Sequence, residues 1–210
     1  PTCVFPFVAL DPRAAILRKA GALVLRPLLI KVYLYGFPKI GTRVVRGINM
    51  GFSFRLHHTD GAARAGEIAT SHGKVSTPAF MPVATQATVK GLLPEEVAEL
   101  EASMVLCNAY HLYLRPGVES VARLGGLHSF MGWSKPILTD SGGFQAFSMG
   151  ELRKIDEDGI WFRSHIDGSE HRFGPELAVA NQRVLGADII MCLDQCIAHG
   201  VSKDEVRRAM

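Results

Sequence analysis

From Thr77 onward, short apolar runs alternate with stretches in which apolar positions recur every three or four residues. Phe80-Met-Pro-Val-Ala84, Met104-Val-Leu-Cys-Asn-Ala109, Pro136-Ile-Leu-Thr-Asp140 and Ala187-Asp-Ile-Ile-Met-Cys-Leu-Asp194 read as strands. Helix signals lie between them. Pro94 suits a first helical position, Glu95 and Glu96 suit a first turn, and Val97, Leu100 and Met104 give an apolar face. Arg115-Pro-Gly117 turns into a helix that stops at Gly125-Gly126, and Pro175 begins another that stops at Gly186. Ser202-Lys-Asp-Glu205 is a capping box, with Val206 and Met210 on one face of the helix it opens. The chain's last residue falls inside that helix, which predicts a domain truncated within it. Residues 160–166 and 170–173 flank Asp167-Gly168-Ser169, an Asp-Gly turn that predicts an inserted β-hairpin.

Strand followed by helix, repeated, predicts an α/β fold with a parallel sheet, either a barrel or a doubly wound sheet. The pattern supplies about four strands, half of what an eight-stranded barrel uses.

The first fifty residues change the picture. They hold eight Lys/Arg and one acid, Asp11, whereas residues 51–210 hold 15 basic and 19 acidic groups. A nucleic-acid-binding surface is normally basic, so if the protein binds RNA its larger basic surface is elsewhere or missing. Ala20 to Phe37 is apolar but broken by Arg26, Pro27 and Lys31, short of the roughly twenty residues of a membrane span. The segment is Arg-rich and acid-poor like a transit peptide, yet residues 1–49 contain no serine. The reading adopted is a domain over residues 50–210, starting at Met50, preceded by a poorly ordered extension over 1–49 from a misassigned start. Four cysteines (Cys3, Cys107, Cys192 and Cys196), three of them in apolar runs, indicate buried thiols in a reducing, cytoplasmic setting. Cys192-x3-Cys196 has no second Cys/His pair to complete a zinc set, so it reads as packed strand cysteines.

Candidate chemistry concentrates at strand ends. Asp140 closes one strand and is followed by Ser141-Gly142-Gly143-Phe144. Two glycines let the backbone approach a ligand closely, and Phe144 offers a face for a flat ring. The same residues could simply cap a turn. Asp194 closes a second strand, and two such acids suggest a shared cleft, the alternative being a solvated loop acid. A carboxylate can accept both N–H groups on the Watson–Crick edge of guanine, a usual way of reading an extruded base. His111 reads as a packed or supporting residue, Trp133 as core or loop anchor, and His165 and His171 as surface residues.

Asn108-Ala-Tyr-His-Leu112, Leu114-Arg-Pro-Gly117, Gly125-Gly-Leu-His-Ser-Phe-Met-Gly-Trp133, Pro136-Ile-Leu-Thr-Asp-Ser-Gly-Gly-Phe-Gln145 and Ser164-His-Ile-Asp-Gly-Ser169 follow one another in an order that resembles bacterial-type tRNA-guanine transglycosylases. The resemblance runs from about Phe52 to Met210, with Thr77-Pro-Ala-Phe-Met-Pro-Val83 similar to the family's first barrel strand. It implies the N-terminal half of a TIM (β/α)8 barrel in an enzyme that exchanges the wobble guanine of tRNA for a 7-deazaguanine precursor of queuosine. It implies that Asp140 is the general acid/base, that Ser141 lies beside it, that Phe144 stacks on the base and that Asp194 reads the purine edge. Cys196 is similar to the bacterial subgroup, which uses an aminomethylated base. The family's nucleophilic Asp, its three-Cys, one-His zinc site and part of its base pocket match no residue here, so no metal ligand is assigned and this chain alone is expected to be inactive. tRNA, the 7-deazaguanine base and, in the complete enzyme, a second copy are the implied partners. Two other readings stand beside this one: a non-catalytic fragment or partner subunit that only binds, and a glycosidase with paired acids.

Overall fold

The computed structural model of the chain describes residues 51–148 and 154–209. Residues 1–49, including Cys3 and the proposed extension, lie outside the described residues.

The described chain opens with three antiparallel strands that the apolar pattern does not reveal: β1 (Ser53–Asp60), β2 (Ala63–Thr70) and β3 (Gly73–Thr77), ordered β1-β2-β3. Two-residue turns join them, since Asp60 pairs with Ala63 and Thr70 with Gly73. The pattern is silent because β1 is exposed along its whole length. Asp60-Gly61, an Asp-Gly turn with φ of 54° at the glycine, is the signal that marks this hairpin.

The α/β alternation follows: α1 (Pro94–Glu99), β4 (Val105–Cys107), α2 (Ala109–Leu114), α3 (Val118–Arg123), α4 (Gly126–Met131), β5 (Ile137–Thr139) and α5 (Gly143–Ser148). α1 is shorter than its apolar spacing suggests. Val97 is buried, but Glu101 adopts a φ of 60° that ends the helix, leaving Leu100 67% exposed. After α3 both Gly125 and Gly126 take positive φ, and α4 starts at once. β4 and β5 are parallel, with Val105 opposite Ile137 and Cys107 opposite Thr139.

The first and fourth expected strands each shrink to one bridge, Val83 with Leu106 and Leu138 with Ile189, both parallel. In the first, Pro82 has no N–H to give a ladder, although its carbonyl accepts from Leu106. In the fourth, the backbone of Met191 is taken by the side chain of Gln182. Four consecutive segments thus lie side by side in chain order, each parallel to the next.

β6 (Lys154–Asp156), β7 (Gly159–Arg163) and β8 (Glu170–Phe173) form an antiparallel sheet, so the expected hairpin carries an additional strand. At its tip the Asp167 carboxylate accepts from the hydroxyl and the N–H of Ser169, which hold it down at about 2. α6 (Pro175–Leu185) begins at its proline and ends at left-handed Gly186, and α7 (Lys203–Arg208) carries the expected capping box. The core is built in two clusters. One gathers Val105, Leu112, Val121, Leu127, Trp133, Ile137 and Leu185, and the other gathers Tyr110, Ile160, Phe162, Phe173 and Ala178. Trp133 is 3% exposed and its indole donates to the Pro136 carbonyl, so it anchors the entry to β5 as expected. No helix among the described residues is long and apolar enough to cross a membrane.

Candidate functional site

Asp140 immediately follows β5, and its carboxyl is ringed by donors. Oδ2 accepts from Asn108 Nδ2 and, at 2.9 Å, from Gln145 Nε2, while Oδ1 accepts from the Ala109 N–H at 2.9 Å. Burial pushes its pKa above the usual carboxylate value, and these donors pull it back only in part. Asn108 stands at the N-cap of α2 without capping it; its amide serves Asp140 instead. The Gln145 amide oxygen is buried without a hydrogen-bond partner. Below the acid, burial and the charge of Asp140 push the Cys107 thiol up to about 12, so it is an inert core group.

Ser141, the residue after Asp140, holds the second acid. Its hydroxyl donates to Asp194 Oδ1 at 2.9 Å and accepts from the Gly143 N–H at 3.2 Å. The glycine pair is required by space. At Gly142, φ is 81° and a Cβ would stand 3.0 Å from that of Tyr110; at Gly143 a Cβ would stand 2.6 Å from the Asp194 carbonyl and 2.7 Å from its Oδ1. Cys196 Sγ lies 3.6 Å from Asp194 Oδ2, and burial, with the adjacent acid, pushes the thiol up to about 11. Phe144, at the second position of α5, is 55% exposed. A cavity of about 500 Å³ opens beside Cys196 against Phe147, Ile155, Ile197 and Val201, and neither acid lines it.

Two expectations from sequence are corrected. Cys192 is exposed, so only Cys107 and Cys196 among the described cysteines are buried thiols; in the segment before Asp194, it is Met191 and Leu193 that are partly buried. His171 is half-buried, not a surface residue, because β8 turns it inward opposite Phe162. It stacks on that ring and meets Tyr113 Oη at 3.0 Å. His165 is exposed and His111 half-buried, with burial and then His165 lowering the pKa of His111.

Sequence reasoning missed a cluster at the other end of the strands. Asp188, with a side chain only 1% exposed, takes His72 Nδ1 at 2.7 Å on Oδ1, while on Oδ2 it takes the Ile137 N–H at 2.9 Å and lies 3.2 Å from His128 Nε2. Burial alone would raise its pKa, but the adjacent His128 imidazole, His72 and the Ile137 N–H bring it well below the usual carboxylate range, although His128 Nε2 is not aligned for a hydrogen bond. Among the described residues this is the group of three whose ligand atoms could hold a metal ion. The two imidazoles are stacked, however, with centroids 3.6 Å apart and planes 17° from parallel. An ion bound by both nitrogens would lie far from at least one ring plane. The cluster fits a hydrogen-bonded clamp, and it contains no cysteine. Gln182 was missed too; the available signal was the pair of amides, Asn181 and Gln182, on the buried face of α6 beside Ala178 and Leu185.

The family model described as Queuine tRNA-ribosyltransferase matches residues 59–210. Curated relatives named queuine tRNA-ribosyltransferase are similar over the same region. The one from Herpetosiphon aurantiacus is 57% identical over 159 residues, 76% of this chain and 41% of the relative. That from Koribacter versatilis is 55% identical over 163 residues, 78% of this chain and 42% of the relative. That from Jannaschia sp. is 59% identical over 146 residues, 70% and 39% respectively. The chain therefore spans about two-fifths of the length of the relatives it matches.

Proposed function

Because the chain belongs to the queuine tRNA-ribosyltransferase family, we propose that it supplies the base-reading and proton-transfer rim of a tRNA-guanine transglycosylase. The reaction exchanges the wobble guanine of tRNA for a 7-deazaguanine queuosine precursor in the cytoplasm. The observation that carries this reading is the Ser141 bridge, which holds Asp194 beside the residue that follows Asp140.

On this reading Asp194 accepts the adjacent N–H groups of the purine edge. Phe144, exposed at the start of α5, stacks on the ring. Asp140 is the general acid/base. Its raised pKa brings it closer to the range in which a carboxyl can both take and return a proton. Cys196, against Asp194, supports the aminomethylated bacterial substrate. The sequential parallel order of the four central segments supports a barrel, since a doubly wound sheet reverses its order at a switch point. The described residues offer no three-Cys, one-His set, so no step here runs through zinc. We assign the zinc set, the nucleophilic carboxylate, the larger tRNA-binding surface and a homodimer contact to the complete enzyme.

The test is a chimera in which residues 51–210 replace the corresponding part of the Herpetosiphon relative. It should incorporate radiolabelled guanine into unmodified tRNA. Asp194→Asn puts an amide donor among base N–H groups and should raise KM for the base roughly 10- to 100-fold, the scale of a lost hydrogen bond to a charged group. A folded chimera that binds tRNA without exchanging guanine would replace this reading with a binding-only role.

A further inference from the structure

We infer that Gln182 is a positioning residue that sets the separation of the two acid-bearing strand ends, an inference that rests on the roles proposed above for Asp140 and Asp194. Gln182 is 0% exposed on the buried face of α6. Its amide uses its full hydrogen-bonding capacity. Oε1 accepts from Thr139 Oγ1 at 3.0 Å and from the Met191 N–H at 2.8 Å. Nε2 donates to the Met191 carbonyl at 2.8 Å and to the Ala178 carbonyl at 3.0 Å. Thr139 is the residue before Asp140, and Met191 stands shortly before Asp194.

The bonding pattern shows why an amide is needed. The two segments run parallel at the Leu138–Ile189 bridge, where the Thr139 N–H donates to the Ile189 carbonyl at 3.0 Å. Alternate residues of a strand present their backbone groups to the same edge, so Met191 faces β5 as Ile189 does. In an unbroken ladder its N–H and C=O would pair with β5 backbone. They pair instead with one side-chain amide, which carries the same donor and acceptor as a peptide group. Gln182 thus stands in for a rung and wedges the strands apart at that level, while Thr139 Oγ1 ties the far side of the wedge to β5. Beyond it the ladder between the two chains is not resumed. Asp140, the alternate residue, donates to the Cys107 carbonyl of β4 at 3.1 Å, and Asp194 meets β5's end only through the Ser141 hydroxyl. An apolar residue at 182 would leave the Met191 backbone groups unpaired, and the gap would close or slip.

The test applies Gln182→Met, Thr139→Val and Thr139→Ser to the chimera. Gln182→Met keeps the length and removes every bond; kcat for guanine exchange should fall roughly 10- to 100-fold, as expected for misplaced reacting groups. KM for the base should rise while KM for tRNA stays unchanged. Thr139→Val keeps volume but loses the hydroxyl, and should reproduce the loss in milder form even if Gln182→Met fails to fold. Thr139→Ser keeps the hydroxyl and should match the parent. A folded Gln182→Met enzyme with parental kcat and base KM would overturn the inference, as would Thr139→Ser proving as damaging as Thr139→Val. Crystal structures of parent and variant chimeras give an activity-independent reading. A shift in the Asp140–Asp194 separation supports the wedge, and an unchanged separation in Gln182→Met or Thr139→Val overturns it. A parent chimera without exchange activity would count against the transglycosylase reading, while those separations still decide the role of Gln182.

Discussion

Asp194 owes its position to a residue with no side chain. A Cβ at Gly143 would meet the backbone carbonyl of Asp194 at 2.6 Å, and a backbone atom cannot swing aside as a side-chain tip can. Gly143 is also a member of α5 and is buried, so the helix cannot retreat without disturbing Ala146 behind it. Gly143→Ala should therefore push the Asp194 strand end outward and break the bond from Ser141. The expected cost is about 1–3 kcal/mol of stability, the usual scale of overpacking, with a rise in base KM larger than that stability loss alone would cause. Thermal melting beside base-dependent kinetics of the chimera checks both. Parental kinetics with a lowered melting temperature would show that the glycine serves packing and not the placement of Asp194.

At the scale of elements, the N-terminal sheet is attached to the parallel strands by the clamp of His72, His128 and Asp188. His72 lies in the turn between β2 and β3, His128 in α4, and Asp188 at the start of the fourth segment. The folded-state pKa of Asp188 is depressed, so its contribution to stability is complete above the ordinary carboxylate pKa of about 3.9 and is lost as pH falls below it toward the folded value. Asp188→Asn should cost about 2 kcal/mol at neutral pH, in line with hydrogen bonds to a charged group. The difference from the parent should stay level above about pH 5 and shrink below pH 4. Urea unfolding of the chimera across that range measures it, and a difference that grows toward acid would refute the clamp. The clamp also shows where the sequence stops being legible. α1, α3, α6, α7 and the β7–β8 hairpin could be read because Pro, Gly, the capping box and Asp-Gly act on their own neighbours. The place of Asp140 could be read because an acid closing an apolar strand is a local pattern, whereas Asp194 lies beyond the single bridge to which its expected strand shrinks. The clamp and the Gln182 wedge could not, since each joins residues far apart in the chain whose local contexts are ordinary. β1 escaped for a third reason: an exposed strand has no buried face to impose alternation.

For the whole molecule, the decisive feature is an unfinished row of parallel segments. Val83 and Ile189 each pair on one side only among the described residues, and Phe80 and Val83 are 49% and 52% exposed. Unpaired backbone at a sheet edge beside apolar surface promotes association. The chain spans about two-fifths of its relatives' length, so in a protein of that length the remaining part has these edges to pair with. The polar rim, by contrast, is largely assembled: Asn108 and Gln145 donate to Asp140 and Ser141 donates to Asp194, with the Gln145 amide oxygen left without a partner among the described residues. Assembly of the polar rim and closure of the edges are thus separable. Purified residues 51–210 should therefore self-associate, seen as a concentration-dependent mass in sedimentation, and should incorporate no guanine into tRNA. Joined to the remaining part of the Herpetosiphon relative, the same residues should become monodisperse and active. A cooperatively melting monomer from residues 51–210 would show that the open edges are stable in water. Guanine exchange by residues 51–210 alone would show that the nucleophile lies among them.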